Sequence, residues 1–153
     1  MIAKNITELI GNTPMIELKM KNNDWKVYLK LEKFNPGGSM KDRMALNMIN
    51  QAEKDGKLKP GGTIIESSSG NTAIGLAIAS AIKGYKFIAV VDHHASKEKI
   101  DMIKAYGGNI VVVGDGYKDN EVAVIEREKT AKRMADGMEN AFFPNQADNF
   151  NNR

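Results

Sequence analysis

Thr63-Ile64-Ile65-Glu66-Ser67-Ser68-Ser69-Gly70-Asn71-Thr72 joins a short β-branched run to a stretch that continues, from Thr72 to Lys83, in small and apolar residues spaced for a helix. A strand that ends in a serine- and glycine-rich loop and restarts as a helix is the first part of a βαβ unit. The pattern then repeats: Phe87-Ile88-Ala89-Val90-Val91 predicts a second strand, Ser96 to Tyr106 a helix, and Ile110-Val111-Val112-Val113 a third strand. These strands are near-continuous apolar runs, as in a sheet covered by helices on both faces. Glycines punctuate the helices, with Lys41 to Lys54 stopping at Asp55-Gly56, the second helix at Gly84 and the third at Gly107-Gly108. Glycine past the last turn closes a helix readily because it has no Cβ. A longer polar helix is expected from about Asn120 to Ala135, and Ala141-Phe142-Phe143 is a short fourth strand candidate. The expected class is therefore α/β, a three-layer αβα arrangement around a parallel, doubly wound sheet of about four strands.

Composition narrows the function classes. A chain of 153 residues, 42% hydrophobic and 27% charged, is one ordinary domain with room for a core. Its 22 basic and 19 acidic residues are interspersed, giving a net charge of +3 without the basic tract that would point to nucleic acid. With no cysteine, disulfides, thiolate catalysis and zinc-thiolate sites are excluded. The N-terminal Met1 to Glu8 is too polar for the apolar part of a signal peptide, so the cytoplasm is the default compartment. The apolar run Thr72 to Ile82 is too short to cross a bilayer, so no membrane partner is expected. His93 and His94 are adjacent, so on a strand end they would point to different sides. They lack the i, i+4 spacing of paired ligands. Solvation or capping is their expected role, and no metal site is expected.

Two stretches carry chemistry. In Asn35-Pro36-Gly37-Gly38-Ser39-Met40-Lys41-Asp42-Arg43, Lys41 stands at a helix start, where the macrodipole and Arg43 would disfavour its ammonium form. A neutral amine can form a Schiff base. In Ser67 to Thr72, hydroxyls, a close-approach backbone and free helix N-terminal amides suit a carboxylate or phosphate, in a loop after a strand end where such sheets bind ligands. Each stretch alone has a plainer reading, the serines as an N-cap with a tight turn and the lysine as a solvated first-turn residue. Together they suggest a lysine-bound aldehyde cofactor beside an anion-binding loop.

With Glu8-Leu9-Ile10-Gly11-Asn12-Thr13-Pro14-Met15, Lys30-Leu31-Glu32, the Lys41 segment, Ser67 to Gly75 and Asn145-Gln146 in this order, the chain resembles the pyridoxal-phosphate β-replacement enzymes of fold type II. That family is tryptophan synthase β-like and includes cysteine synthase and cystathionine β-synthase. The resemblance implies that Lys41 forms the internal aldimine with pyridoxal 5'-phosphate and that Asn71 hydrogen-bonds the cofactor's ring hydroxyl oxygen. It further implies that Ser68, Ser69, Gly70 and Thr72, with Gln146 across the cleft, hold the α-carboxylate of an amino-acid substrate, and that Lys41 removes its α-proton. The ring is the electron sink through which a β-substituent leaves and a nucleophile adds. With O-acetylserine and sulfide the product would be cysteine. A cytoplasmic homodimer is the family expectation.

Two departures bear on this. Val91-Asp92-His93-His94-Ala95-Ser96 stands where many sulfhydrylases carry a Met-Pro segment. It is similar to the same region in relatives whose incoming nucleophile is an amine and whose product leads to diaminopropionate. The chain also stops at Arg153, whereas members of the family are about twice as long, so the glycine-rich phosphate loop and the residue contacting the pyridine nitrogen fall outside it. By the same resemblance, residues 1–39 are a segment of a larger second domain, 40–144 the small α/β domain, and 145–153 the start of a return to the larger one. The strand Lys26 to Leu31 would then lack its sheet, leaving Trp25, Val27 and Tyr28 exposed. Met44, Ile49, Leu76, Ile78, Met102 and Ile103 read as core, and Lys97, Glu98, Lys99 and Lys104 as a solvated face. A catalytically silent module that keeps the carboxylate loop is the alternative from another class. A nucleotide binder lacks the G-x-G-x-x-G spacing.

Overall fold

The computed structural model describes residues 2–21, 25–116 and 123–152. Its main sheet is formed by β3 (Thr63–Ser67), β4 (Lys86–Val91), β5 (Asn109–Val112) and β6 (Ala141–Phe142), in the order β5-β4-β3-β6 with every pair parallel. Four helices pack on it: α1 (Lys41–Lys54), α2 (Asn71–Lys83), α3 (Lys97–Ala105) and α4 (Val124–Asp136). A separate antiparallel pair, β1 (Met15–Leu18) and β2 (Val27–Lys30), precedes them.

Side-chain alternation along the strands divides the core into two layers. Ile64, Phe87, Ala89 and Val91 pack with Met44 and Met48 of α1, Ile74, Leu76 and Ile78 of α2, and Ile103 of α3. Ile65 and Val90 pack with Ala131 of α4, flanked by Met134 and Ala135. Because α2 and α3 carry the chain from β3 outward to β5 on one face and α4 returns it to β6 on the other, the winding direction reverses between β3 and β6. The expected doubly wound αβα class is what the chain adopts.

The helices form as their sequences require. Met44, Ala45, Met48, Ile49 and Ala52 give α1 one buried stripe, and the apolar run in α2 leaves every residue from Thr72 to Ser80 buried. Gly75 sets how closely these two helices meet. A Cβ there would lie 3.1 Å from the Ala45 Cβ, 3.1 Å from the Lys41 carbonyl oxygen and 3.2 Å from the Asp42 Cα. Gly84, at φ +76°, ends α2 in the left-handed conformation, and Gly56 and Gly107 follow the last turns of α1 and α3 at φ +70° and +82°.

Several expectations are corrected. The strand foreseen from Lys26 to Leu31 has a partner, β1, which the reading of Thr13-Pro14-Met15 as a motif concealed. Exposure of Trp25, Val27 and Tyr28 is as foreseen, at 76%, 38% and 53%. The polar helix begins at Val124 and ends at Asp136, with 120–122 outside the described residues. His93 and His94 lie in the turn after β4 rather than on a strand end, and their rings sit 4.1 Å apart instead of pointing to different sides. The His94 amide donates to Asp92 Oδ1 at 3.1 Å. Met102 is half-buried against the core.

Candidate active site

Open α/β sheets bind ligands beyond the carboxyl ends of their strands at the point where the winding reverses. Here that point lies between β3 and β6, so it is flanked by Ser67 to Thr72 after β3 and by Asn145-Gln146 after β6. The structure ties the two segments together. Thr72 Oγ1 donates to Gln146 Oε1 at 2.7 Å, Gln146 Nε2 donates to the Ser67 carbonyl at 3.2 Å, and the Gln146 amide donates to Glu66 Oε2 at 3.1 Å. A cleft of about 380 Å³ opens beside them, lined by Glu66, Ser67, Arg127, Glu128, Asn145 and Gln146 among others. A larger groove of about 620 Å³, along β6 and the end of α1, contains none of the motif residues except Asn145.

The serines do not cap α2. Gly70 occupies the capping position with φ −120° and ψ −151°, and among the described residues no side chain accepts from the first amides of the helix. Ser68 Oγ accepts from the Gly70 amide at 3.3 Å, and Ser69 Oγ lies 3.5 Å from Arg127 Nη1. The N-terminus of a helix buried from Thr72 to Ser80 thus has amide donors that would suit an anion.

Lys41 is the first residue of α1, half-buried, with its amide donating to Ser39 Oγ at 3.1 Å. Among the described residues, no acceptor is bonded to its Nζ. Its carbonyl faces Gly75 in α2, which brings the start of α1 against the first turns of α2. Asp42 is 1% exposed and turns inward, with Oδ2 accepting from the Gly37 amide at 2.5 Å and Oδ1 unpartnered. Burial raises its pKa above the usual carboxylate range. A side chain on Gly37 would run into this carboxylate, so the glycine loop is moulded on Asp42.

Arg43 is engaged elsewhere. Its Nε and Nη2 donate to Glu32 Oε2 and Oε1, each at 2.9 Å, and Nη2 also donates to the Gly11 carbonyl at 2.6 Å. The Arg43 hydrogen bond holds the Glu32 carboxyl down at about 2, against the opposing effect of burial. This fork ties the loop before β1 to α1.

Four site residues escaped the sequence reading. Lys99, taken for part of a solvated face, donates from Nζ to Asn71 Oδ1 at 2.6 Å. Glu66 is 1% exposed, and burial pushes its carboxyl up to about 7. Its one visible mark in the sequence is an acid at the end of the apolar Ile64-Ile65 run. Asp92, 2% exposed, pairs with Arg127 of α4, Oδ2 to Nη1 at 3.3 Å. That pairing spans 35 positions and left no local pattern to read. Among the described residues, no group of three His, Asp or Glu side chains is gathered as a metal site requires.

Residues 6–153 match the family described as pyridoxal-phosphate dependent enzyme. The chain belongs to that family. It is 49% identical over 149 residues to a Sinorhizobium fredii protein with a provisional cysteine synthase name, covering 97% of this chain and 44% of that one. A hydrogen sulfide-producing enzyme from Fusobacterium nucleatum superposes with a TM-score of 0.88 at 37% identity, over 99% of this chain and 48% of that one. An O-acetylserine dependent cystathionine β-synthase from Helicobacter pylori gives a TM-score of 0.86 at 31% identity, over 99% of this chain and 49% of that one. The chain thus spans about half the length of the relatives it matches. Pyridoxal phosphate is the cofactor of the family.

Proposed function

We propose that this chain supplies the amino-terminal half of the site of a pyridoxal-phosphate enzyme that replaces the β-substituent of a serine-derived amino acid, with O-acetylserine and sulfide giving cysteine as the leading reaction. The observation that carries the reading is the approach of the start of α1, at the Lys41 carbonyl, to Gly75 in the first turns of α2, with no acceptor on Lys41 Nζ and no side-chain cap on α2 among the described residues. The residues present fit the cofactor and its substrate. Lys41 Nζ is the amine that would hold the aldehyde and, once released from it, take the α-proton. Asn71 would meet the ring oxygen. Ser68, Ser69, Gly70 and Thr72, with Gln146, would fix the substrate's α-carboxylate, so that the α-proton is presented to Lys41 in one geometry. When bound, the cofactor supplies an electron sink for the resulting carbanion.

The names of the relatives, which include a cystathionine β-synthase and a sulfide-producing enzyme, support the reaction class and leave the nucleophile open. Addition of an amine, leading to diaminopropionate, is the second reading, favoured by the Asp92-His93-His94 loop that replaces the Met-Pro segment of many sulfhydrylases. Residues 1–39 and 145–153 are assigned to a larger domain and 40–144 to the small one, in a cytoplasmic homodimer. No described helix is long and apolar enough to cross a membrane.

The test is to incubate the protein with pyridoxal phosphate, reduce with borohydride and locate the pyridoxyl mass. An adduct confined to Lys41, lost in Lys41→Ala, is expected. Scattered labelling, or none, means that this chain alone is not the enzyme and leaves either a site that needs a C-terminal half or a catalytically silent carboxylate-binding module.

A further inference from the structure

Glu66 is a buried acid that the proposed chemistry does not use. It stands near the end of β3, in a strand whose other buried residues are Ile64, Ile65 and Ser67, and it is 1% exposed. Burying a carboxyl there is costly unless its oxygens are satisfied. Both are satisfied by backbone: Oε1 accepts from the Ser67 amide at 2.8 Å and Oε2 from the Gln146 amide at 3.1 Å, across 80 positions of sequence. Gln146 follows Asn145, which is held at φ +49°, a left-handed conformation unusual for a residue with a side chain. The clasp therefore holds the backbone at a left-handed corner, which asparagine tolerates better than other residues with side chains. From that corner the Gln146 side chain reaches back, donating to the Ser67 carbonyl and accepting from the Thr72 hydroxyl.

We propose that Glu66 is a positioning residue for substrate recognition: its carboxylate fixes Gln146 against the β3 loop and thereby sets the Thr72–Gln146 pair that receives the substrate's α-carboxylate. The inference rests on the reading of that loop as an α-carboxylate site and adds the group that organises it. Glu66 lies outside the motif residues and acts only through Gln146 and Thr72. A carboxylate is suited to this place because both of its oxygens accept. A glutamine would set an NH₂ against one of the two amides.

The test uses the complete encoded chain, loaded with pyridoxal phosphate, at pH 8, where Glu66 is ionised, and compares its calorimetric affinity for L-serine with that for L-serinamide, which lacks the α-carboxylate. Removing hydrogen bonds to a charged group costs roughly 10- to 100-fold in affinity, so the wild type is expected to prefer serine by about that factor. Glu66→Asp, one methylene shorter, is expected to cut this preference at least fivefold while leaving the affinity for serinamide and the circular dichroism unchanged. Exchange of the Gln146 amide, which needs no cofactor, is expected to accelerate in the same variant. A wild-type preference that survives intact in Glu66→Asp overturns the proposal, as does equal weakening for both ligands, which marks a general structural role. Should Glu66→Asp not fold, Glu66→Gln is read in the same way, and failure of both to fold makes Glu66 a folding residue and overturns the proposal. A wild type that does not discriminate serine from serinamide overturns the α-carboxylate reading itself, which is a separate outcome.

Discussion

Gly75 shows how a single hydrogen atom positions chemistry at the residue scale. In most helices, replacing glycine by alanine gains about 1 kcal/mol of helix propensity. Here the new methyl would meet the Lys41 carbonyl oxygen and Asp42 Cα at 3.1 and 3.2 Å, both backbone atoms of α1 that yield only if the helix moves. Overpacking of this kind costs about 1–3 kcal/mol, so Gly75→Ala is expected to be destabilising on balance and to lower pyridoxyl labelling of Lys41, checked by thermal melting and mass spectrometry. Glu32 makes a prediction about acid. Its carboxyl is lowered from 4.5 to about 2 by Arg43, so its stabilising contribution is complete above pH 4.5 and is lost as pH falls through about 2. The difference in unfolding free energy between wild type and Glu32→Gln should shrink across that window. Glu66 has the opposite sign. Raised from 4.5 to about 7 by burial, it keeps its proton in the folded state where the unfolded chain has lost it, so stability falls as pH rises from 4.5 to 7. A urea titration of Glu66→Gln, which cannot titrate, against wild type at pH 5 and pH 8 reads this term. A wild type that is equally stable, relative to the variant, at both values would show that the group is not buried as described.

At the scale of elements, caps and glycines explain why the helix limits were so readable. Ser96 accepts from the Lys99 amide at 3.3 Å and starts α3, the one helix among α1 to α4 with a side-chain N-cap bond. Ser96→Ala should cost about 1 kcal/mol, measurable by chemical denaturation. The same mutation also releases the turn that carries Lys99 toward Asn71, so a loss well above that figure would mean that the two contacts are coupled. Helix α2 is the contrast. Its serine-rich start looked like a capping sequence, but among the described residues no side chain caps its first amides. Local propensity cannot distinguish these outcomes, because Ser, Asn and Gly serve both, and the difference lies in where β3 and Gln146 hold the loop.

At the scale of the whole molecule, order is unequal. Four of the five residues of β3 are buried, whereas no residue of β1 or β2 is. Hydrogen exchange should therefore be much faster in the β1–β2 pair than in β3 and β4, with protection in the pair limited to its ladder bonds. Comparable protection would mean that something covers Ile16, Tyr28 and Leu29 in solution. What the sequence determined by itself was whatever is written locally: the alternation of β-branched runs with helical ones, the glycine stops, the buried stripe of α1, and two motifs whose residues are contiguous. That was enough for the fold class and for Lys41, Asn71 and the serine loop as candidates. Only the tertiary structure decided which residues meet across long separations: Glu66 with Gln146, Asp92 with Arg127, Lys99 with Asn71, and Arg43 with Glu32 rather than beside Lys41. The physical reason is that each is a pairing of common polar residues, specified by no period or spacing. It is fixed by the winding reversal between β3 and β6 and by the close approach of α1 to α2 at Gly75.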